Sequence, residues 1–191
     1  TKAFSVNVAP RTDGSSTTPS SLPAIRLPRK SSWLFGSRGD RLQAVAGVSL
    51  ELHRGETLGL VGETGCGKST LARCVVRLMD LSAGQVIFDG DDISTASHSQ
   101  LRPYRRRMQM VFQDPYGSLN PRRRVGSIIG DPFAIHGIGT VRERRRNVQD
   151  LMALVGLNPE HYNRFPGDFS GGQRQRIGIA RAIALRPEFI V

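Results

Sequence analysis

The stretch TLGLVGETGCGKST, residues 57–70, decides how the chain is read. A short apolar run at 57–61 leads into Gly62-x-x-x-x-Gly67-Lys68-Ser69, which fits G-x-x-x-x-G-K-[ST]. LARCVVRLMD follows, with Leu71, Val75, Leu78 and Met79 at helical spacing. Strand, glycine-rich turn and helix in that order make a phosphate-binding loop, and each residue type has a task in it. Gly62, Gly65 and Gly67 let the backbone curl until its N–H groups point inward at an anion. The positive end of the following helix adds to the attraction. Lys68 supplies a mobile cation for the β- and γ-phosphates, and the Ser69 hydroxyl suits Mg²⁺. The candidate nucleotide-binding set is therefore Gly62, Glu63, Thr64, Gly65, Cys66, Gly67, Lys68, Ser69 and Thr70. A phosphate loop alone implies nucleotide binding and leaves the task open.

Around this centre the pattern is α/β. AVAGVSLEL (44–52) alternates like a half-buried strand, and 53–56 reads as a tight turn. QVIFDG (85–90) is a strand ending in an Asp-Gly turn, and MQMVF (108–112) is a third strand. Beyond Val125 the periodicity turns helical: GSIIGDPF, a basic amphipathic stretch at 141–155, and a long helix at 170–185. Arg186-Pro187 closes that helix before an apolar strand start at 189–191. The expected fold is a parallel sheet behind the phosphate loop, with helices beyond Val125.

Composition limits the alternatives. A length of 191 residues suits one good core rather than two ordinary domains. Lys and Arg total 27 against 16 Asp and Glu, a formal charge of +11, and only Lys2, Lys30 and Lys68 are lysines. Nucleic acid, anionic head groups and phosphorylated ligands all fit such a charge. No apolar run approaches the ~18 residues of a membrane-crossing helix. Cys66 and Cys74 are too few for a disulfide scaffold and read as reduced intracellular thiols.

A second motif, Phe169-Ser170-Gly171-Gly172-Gln173-Arg174-Gln175-Arg176, runs into the long helix. Ser170 with Gln173 three residues on is a capping box, in which the hydroxyl takes an orphan N–H and the Gln side chain reaches back. The two glycines leave the first turn bare, so a dipole-positive helix start is open to a second anion. A well-capped helix with no ligand would carry the same residues.

The two motifs together are recognisable. SGGQ downstream of a phosphate loop resembles the ATP-binding subunits of ABC systems. VFQDPYGSLNPR (111–122) resembles the Q-loop of the peptide/nickel importer branch, as do LRPYRRRMQMVF (101–112) before it and FPGDFSGGQRQRIGIARAIALRP (165–187) after it. The resemblance covers 43–191 and is closest to the second, oligopeptide/dipeptide-type ATPase of such importers.

That resemblance implies an ABC-type P-loop fold with a parallel sheet, an N-terminal antiparallel β portion and a helical signature subdomain. It implies an ATPase in which two such domains sandwich two ATPs. The phosphate loop holds one ATP, while Ser170, Gly171, Gly172 and Gln173 close on the ATP of the partner domain. Gln113 becomes the Q-loop glutamine, contacting Mg²⁺ and the attacking water, so Lys68 and Gln113 carry catalysis and Ser69 and Gln113 the metal. The loop after Gln113 (114–121) faces two transmembrane permease subunits, and an extracytoplasmic solute-binding protein completes the system. The location implied is the cytoplasmic face of the cell membrane. Adenine stacking falls near Leu27, with Trp33 or Phe35 as substitutes.

The expected organisation is a linker or tail at 1–23, whose 10–23 is rich in Ser, Thr and Pro, then an ATP-binding core at 24–125. A helical subdomain with the signature helix follows at 126–185, and 186–191 begins the Walker B strand. The chain has no initiator Met and stops three residues into that strand, so both ends are expected to be internal, as in the second half of a fused ATPase pair. The Walker B carboxylates are expected beyond Val191, and these residues alone are expected not to turn over ATP. The runs Arg105-Arg106-Arg107, Arg122-Arg123-Arg124 and Arg144-Arg145-Arg146 read as solvated faces, the first two flanking the Q-loop. The alternatives are an ABC-type ATPase acting on nucleic acid and a non-hydrolysing nucleotide-binding scaffold. No zinc-finger spacing, aromatic interleaving or inserted heptad supports nucleic acid, so no direct nucleic-acid contact is expected.

Overall fold

A computed structural model of the chain describes residues 4–7, 24–27, 42–114 and 117–191. The chain divides into two compact units, Thr1–Arg102 and Pro103–Val191, where length alone suggests a single core.

The first unit is built on an antiparallel sheet. Strand β1 (Phe4–Asn7) pairs on one side with β4 (Ser49–Leu52) and on the other with β5 (Gln85–Phe88). The hairpin from β5 to β6 (Asp91–Asp92) closes the order β4-β1-β5-β6. Asp89 at φ 55° and Gly90 at φ 94° make that hairpin turn, as the Asp-Gly pair predicts. A separate pair joins β2 (Ala24–Leu27) to β3 (Leu42–Ala46). Helix α1 (Lys68–Val75) buries Leu71, Cys74 and Val75. The chain leaving α1 is fastened by Arg77, nearly all buried. Its Nε donates to the Ile93 carbonyl at 3.0 Å, and its Nη1 donates to Asp80 Oδ1 at 3.1 Å. A buried guanidinium is tolerated because its donors are matched in this way.

The second unit carries the parallel pairing. After α2 (Arg102–Arg107), β7 (Met108–Gln109) runs parallel to β8 (Phe189–Ile190). The ladder continues from Val191 N–H to the Gln109 carbonyl at 3.0 Å and from Val111 N–H to the Val191 carbonyl at 2.8 Å. Arg107 grips Glu188 through two hydrogen bonds of 2.7 and 3.0 Å and fixes the register. Three α-helices follow, α3 (Val125–Ile135), α4 (Val141–Leu154) and α5 (Gly171–Ile183), with two short 3-10 turns between α4 and α5, around a core in which Val125, Ile129, Met152 and Ile177 are wholly buried. Thr140 opens α4 with the reciprocal bonds of a capping box: Glu143 N–H to its hydroxyl, and its own N–H to the Glu143 carboxylate. Gly126 is needed for space, since a Cβ there would lie 2.4 Å from the ring of Tyr162. The Arg145 guanidinium also lies over that ring, 5.2 Å from its centroid.

Four expectations change. The run at 57–61 is not a strand: it has no ladder partner among the described residues, and Leu58, Leu60 and Val61 are 48, 49 and 94% exposed. A buried strand is made by neighbours on both edges, and apolar composition does not supply them. The alternation at 44–52 is two strands rather than one, because Gly47 takes φ 44° between them. Phe4–Asn7, inside the segment read as a linker, is a strand paired on both edges, whereas the Ser/Thr/Pro-rich 10–23 lies outside the described residues. The compact units part at Arg102/Pro103 and not at 125, because the strand pair β7–β8 belongs with the helices. Trp33 and Phe35 lie outside the described residues.

Candidate nucleotide-binding site

The loop at 62–67 is shaped by its glycines. Gly65 at φ +89° and Gly67 at φ +94° adopt the left-handed conformation that a side chain would strain. Cys66 N–H donates to the Glu63 carbonyl at 3.3 Å and closes the turn. Gly62 is needed for close approach: a Cβ there would sit 2.7 Å from Cys66 Sγ. Gly67 is the N-cap of α1 and contributes no side-chain cap, and the first helical bond is Leu71 N–H to its carbonyl at 2.8 Å. The N–H groups at the start of α1 are thus left for an external acceptor.

Lys68 folds back over this turn. Its Nζ donates to the carbonyls of Gly62 and Glu63, both at 2.6 Å, and lies 3.5 Å from Cys66 Sγ. An ammonium inside a ring of backbone, beside a bare helix start, is a cradle for an anion of phosphate size. Glu63, Thr64, Gly65, Cys66 and Ser69 are exposed, so the cradle opens to solvent. The Ser69 hydroxyl is an oxygen donor adjacent to the lysine, which fits a hard cation such as Mg²⁺. Cys74 is different in kind: buried among apolar side chains, its thiol is pushed up from its ordinary pKa, the Arg77 charge offsetting this in part, and it is a packing residue.

The other candidate residues lie in the second unit. Gln113 is exposed at a bend after β7. Beyond it, Asp114 accepts from Ser118 N–H at 3.2 Å, and Leu119 is buried. Asn120 ends the loop in a turn of its own, its side chain accepting from Arg122 N–H at 3.0 Å. Ser170 caps α5 as its spacing predicts: its hydroxyl accepts from Gln173 N–H at 3.3 Å, and Gln173 Oε1 accepts from Ser170 N–H at 2.9 Å. Ser170, Gly171, Gly172 and Gln173 are all exposed, and a Cβ at either glycine would meet nothing within 4 Å. The helix start is open.

Three arginines of α5 do work that sequence reasoning missed. Arg174 donates to the carbonyls of Pro166 at 2.8 Å and Gly167 at 3.2 Å, holding the turn that leads into the helix. Arg176 donates to the carbonyls of Val155 at 3.3 Å and Gly156 at 3.2 Å, closing the C-terminus of α4. Arg181 donates to the Ser118 carbonyl at 2.9 Å, in the loop after Gln113. Their targets are backbone carbonyls brought near by folding, which leave no mark in the sequence. The basic runs are also partly spent inside the molecule. Arg123 forms a two-point pair with Asp131, 2.6 Å each, and Arg144 donates to the Ile138 carbonyl at 2.8 Å.

The geometry agrees with what the chain is similar to. It is 53% identical over 161 residues to the oligopeptide transport ATP-binding protein AppF of Bacillus subtilis (strain 168), covering 84% of this chain and 49% of that protein. It is 52% identical over 152 residues to OppF of the same organism, covering 78% and 50% respectively. The chain thus spans about half the length of the curated relatives it matches. Among solved structures, a dimeric post-hydrolysis state of the ATP-binding cassette MJ0796 bound to ADP and Pi superposes with a TM-score of 0.75 at 26% identity, over 89% of this chain and 71% of that one. CbiO1 of Clostridium perfringens, part of the ABC transporter complex cbiONQ, shares the fold with a TM-score of 0.68 at 23% identity, over 89% and 62%. The ABC transporter family profile matches residues 45–191, which take in the phosphate loop, the Gln113 bend and the capped start of α5, and the chain belongs to that family.

Proposed function

We propose that this chain is the ATP-binding element of an ABC importer for peptides, which binds ATP at 62–70 and, in the full assembly, hydrolyses it to drive solute through two membrane-spanning permease subunits. The observation that carries this reading is the cradle of Lys68, Gly62 and Glu63 at an uncapped helix start. The peptide cargo is supported by the relatives AppF and OppF, named oligopeptide transport ATP-binding proteins.

Each residue then has a part. The Lys68 ammonium leaves the loop carbonyls for the β- and γ-phosphate oxygens, exchanging neutral acceptors for charged ones. Backbone N–H groups of the loop and of the first turn of α1 hold the remaining oxygens. Mg²⁺, when bound, neutralises phosphate charge, and the Ser69 hydroxyl and Gln113 side-chain oxygen are the groups that would hold it. Gln113 also orients the attacking water. Ser170, Gly171, Gly172 and Gln173 serve the ATP of a second ABC ATPase domain, whose own helix start serves this one. The loop at 114–121 meets the permease subunits at the cytoplasmic face of the membrane, and an extracytoplasmic solute-binding protein delivers the cargo. No helix among the described residues is long and apolar enough to cross a membrane.

The test is peptide uptake and ATP hydrolysis by the reconstituted transporter. Lys68→Ala in this chain is expected to abolish uptake. Uptake at the unsubstituted rate overturns the reading, as does hydrolysis stimulated by DNA or RNA and indifferent to peptide.

A further inference from the structure

We propose that Arg181 is a positioning residue that ties the loop after Gln113 to α5, so that a push on the loop reaches the Ser170–Gln173 end of the helix. The inference rests on the transporter reading above and adds to it the part that carries the signal within this chain.

The tie is a hydrogen bond over a long sequence distance: Arg181 Nη1 donates to the Ser118 carbonyl at 2.9 Å, across 63 residues, and the neighbouring Leu119 shares a buried core with Ile177 and Ala180 of α5. Arg181 is half-buried, and burial works against its charge, lowering its pKa, while the Asp131 carboxylate works the other way. A guanidinium kept in such a setting needs its partners. Asp131 is itself fixed on α3 by the two 2.6 Å bonds from Arg123. Arg123 follows just after the turn that ends this loop. The loop is therefore held at Ser118 by α5 and, just past its end, at Arg123 by α3, with Leu119 buried between the two points.

The other end of the lever is the signature. Arg181 and Ser170 are eleven residues apart on one helix, about 16 Å at 1.5 Å per residue. Ile177 and Ala180, both wholly buried, pack the intervening turns against the core, and the unbroken helix makes its two ends one stiff element. Because the acceptor is a backbone carbonyl, the tie follows the path of the loop and not the identity of its side chains.

Two variants test this in the assembled transporter. Arg181→Met removes the donor and keeps the bulk, and Arg181→Lys keeps one donor. For Arg181→Met we expect solute-stimulated hydrolysis to fall at least tenfold, with the dissociation constant for ATP within twofold of the unsubstituted protein. Arg181→Lys should recover most of the stimulation. Hydrogen exchange supplies a readout that does not depend on transport: amides at 117–120 should exchange at least tenfold faster in Arg181→Met, with those at 174–180 unchanged. Full stimulation in Arg181→Met, or unchanged exchange at 117–120, overturns the proposal. Equal losses in both variants with faster exchange along α5 also overturn it, since that marks a residue needed only for folding. An unsubstituted assembly with no solute-stimulated hydrolysis overturns the transporter reading instead, and the exchange arm separates that failure from failure of the tie.

Discussion

Ser170 faces two demands that can be set against each other. Its hydroxyl accepts the Gln173 N–H at 3.3 Å and so stabilises α5, and the helix start beside it is open, which on the proposed reading is where the partner's nucleotide would approach. Ser170→Ala removes the acceptor and leaves the reverse bond from Ser170 N–H to Gln173 Oε1 intact. Loss of such a cap costs about 1 kcal/mol, or roughly 2–4 °C of melting temperature in a chain of this size. Ser170→Asp keeps the acceptor and adds a negative charge at the positive end of α5, which favours the fold by about 0.3–1 kcal/mol. The same carboxylate within about 6 Å of a phosphate charge costs roughly 3 kcal/mol at an effective dielectric constant of about 20, close to a hundredfold in the closed state. The two readouts therefore part. In thermal melts Ser170→Asp should equal or exceed the unsubstituted protein while Ser170→Ala falls below it. In the ATPase assay of the full assembly Ser170→Asp should be the worse of the two by far. Unsubstituted hydrolysis by Ser170→Asp would refute the reasoning, and so would a melting temperature that falls in step with activity.

Other outcomes follow from local geometry. Gly126→Ala should lower the melting temperature by roughly 2–12 °C, because the added Cβ lands 2.4 Å from the Tyr162 ring and overpacking costs about 1–3 kcal/mol; an unchanged melt refutes that packing. Glu143 accepts from the N–H and the hydroxyl of Thr140, which hold its carboxyl below the usual range. Its folded pKa is lower than its unfolded one, so the stability it adds is full above the unfolded value of about 4.3 and is lost as pH falls through the folded value. Thr140→Ala removes the hydroxyl and keeps the N–H bond, so it should lower stability at neutral pH and flatten the acid side of the stability profile only in part, measured by denaturant titration from pH 7 to 3. Cys66 packs against Gly62 and Lys68 in the exposed loop, so its alkylation should slow when MgATP is present, and equal labelling rates would contradict that placement.

Much of this was legible in the sequence where the physics is local. The capping boxes at Thr140 and Ser170 join residues three apart, so spacing alone predicts the Ser170 box, and the helices α3, α4 and α5 begin where periodicity changes. The glycine turn and Lys68 were legible for the same reason. What was not legible is set by distant neighbours. The apolar 57–61 carries the composition of a buried strand without a ladder partner among the described residues, and Phe4–Asn7 is a strand because β4 and β5 flank it, not because of its own four residues. Arg174, Arg176 and Arg181 look like surface charge in a basic chain until their acceptor carbonyls, up to 63 residues away, are in place.

On the proposed reading the two open helix starts serve two different nucleotides, the one at Lys68 this chain's own and the one at Ser170 the partner's. Calorimetric titration of the purified protein with ATP and Mg²⁺ tests it most directly. The account predicts one ATP per chain, binding abolished by Lys68→Ala and a dissociation constant within twofold of the unsubstituted value for Ser170→Asp. Two ATPs per chain, or equal loss of binding in both variants, would contradict it.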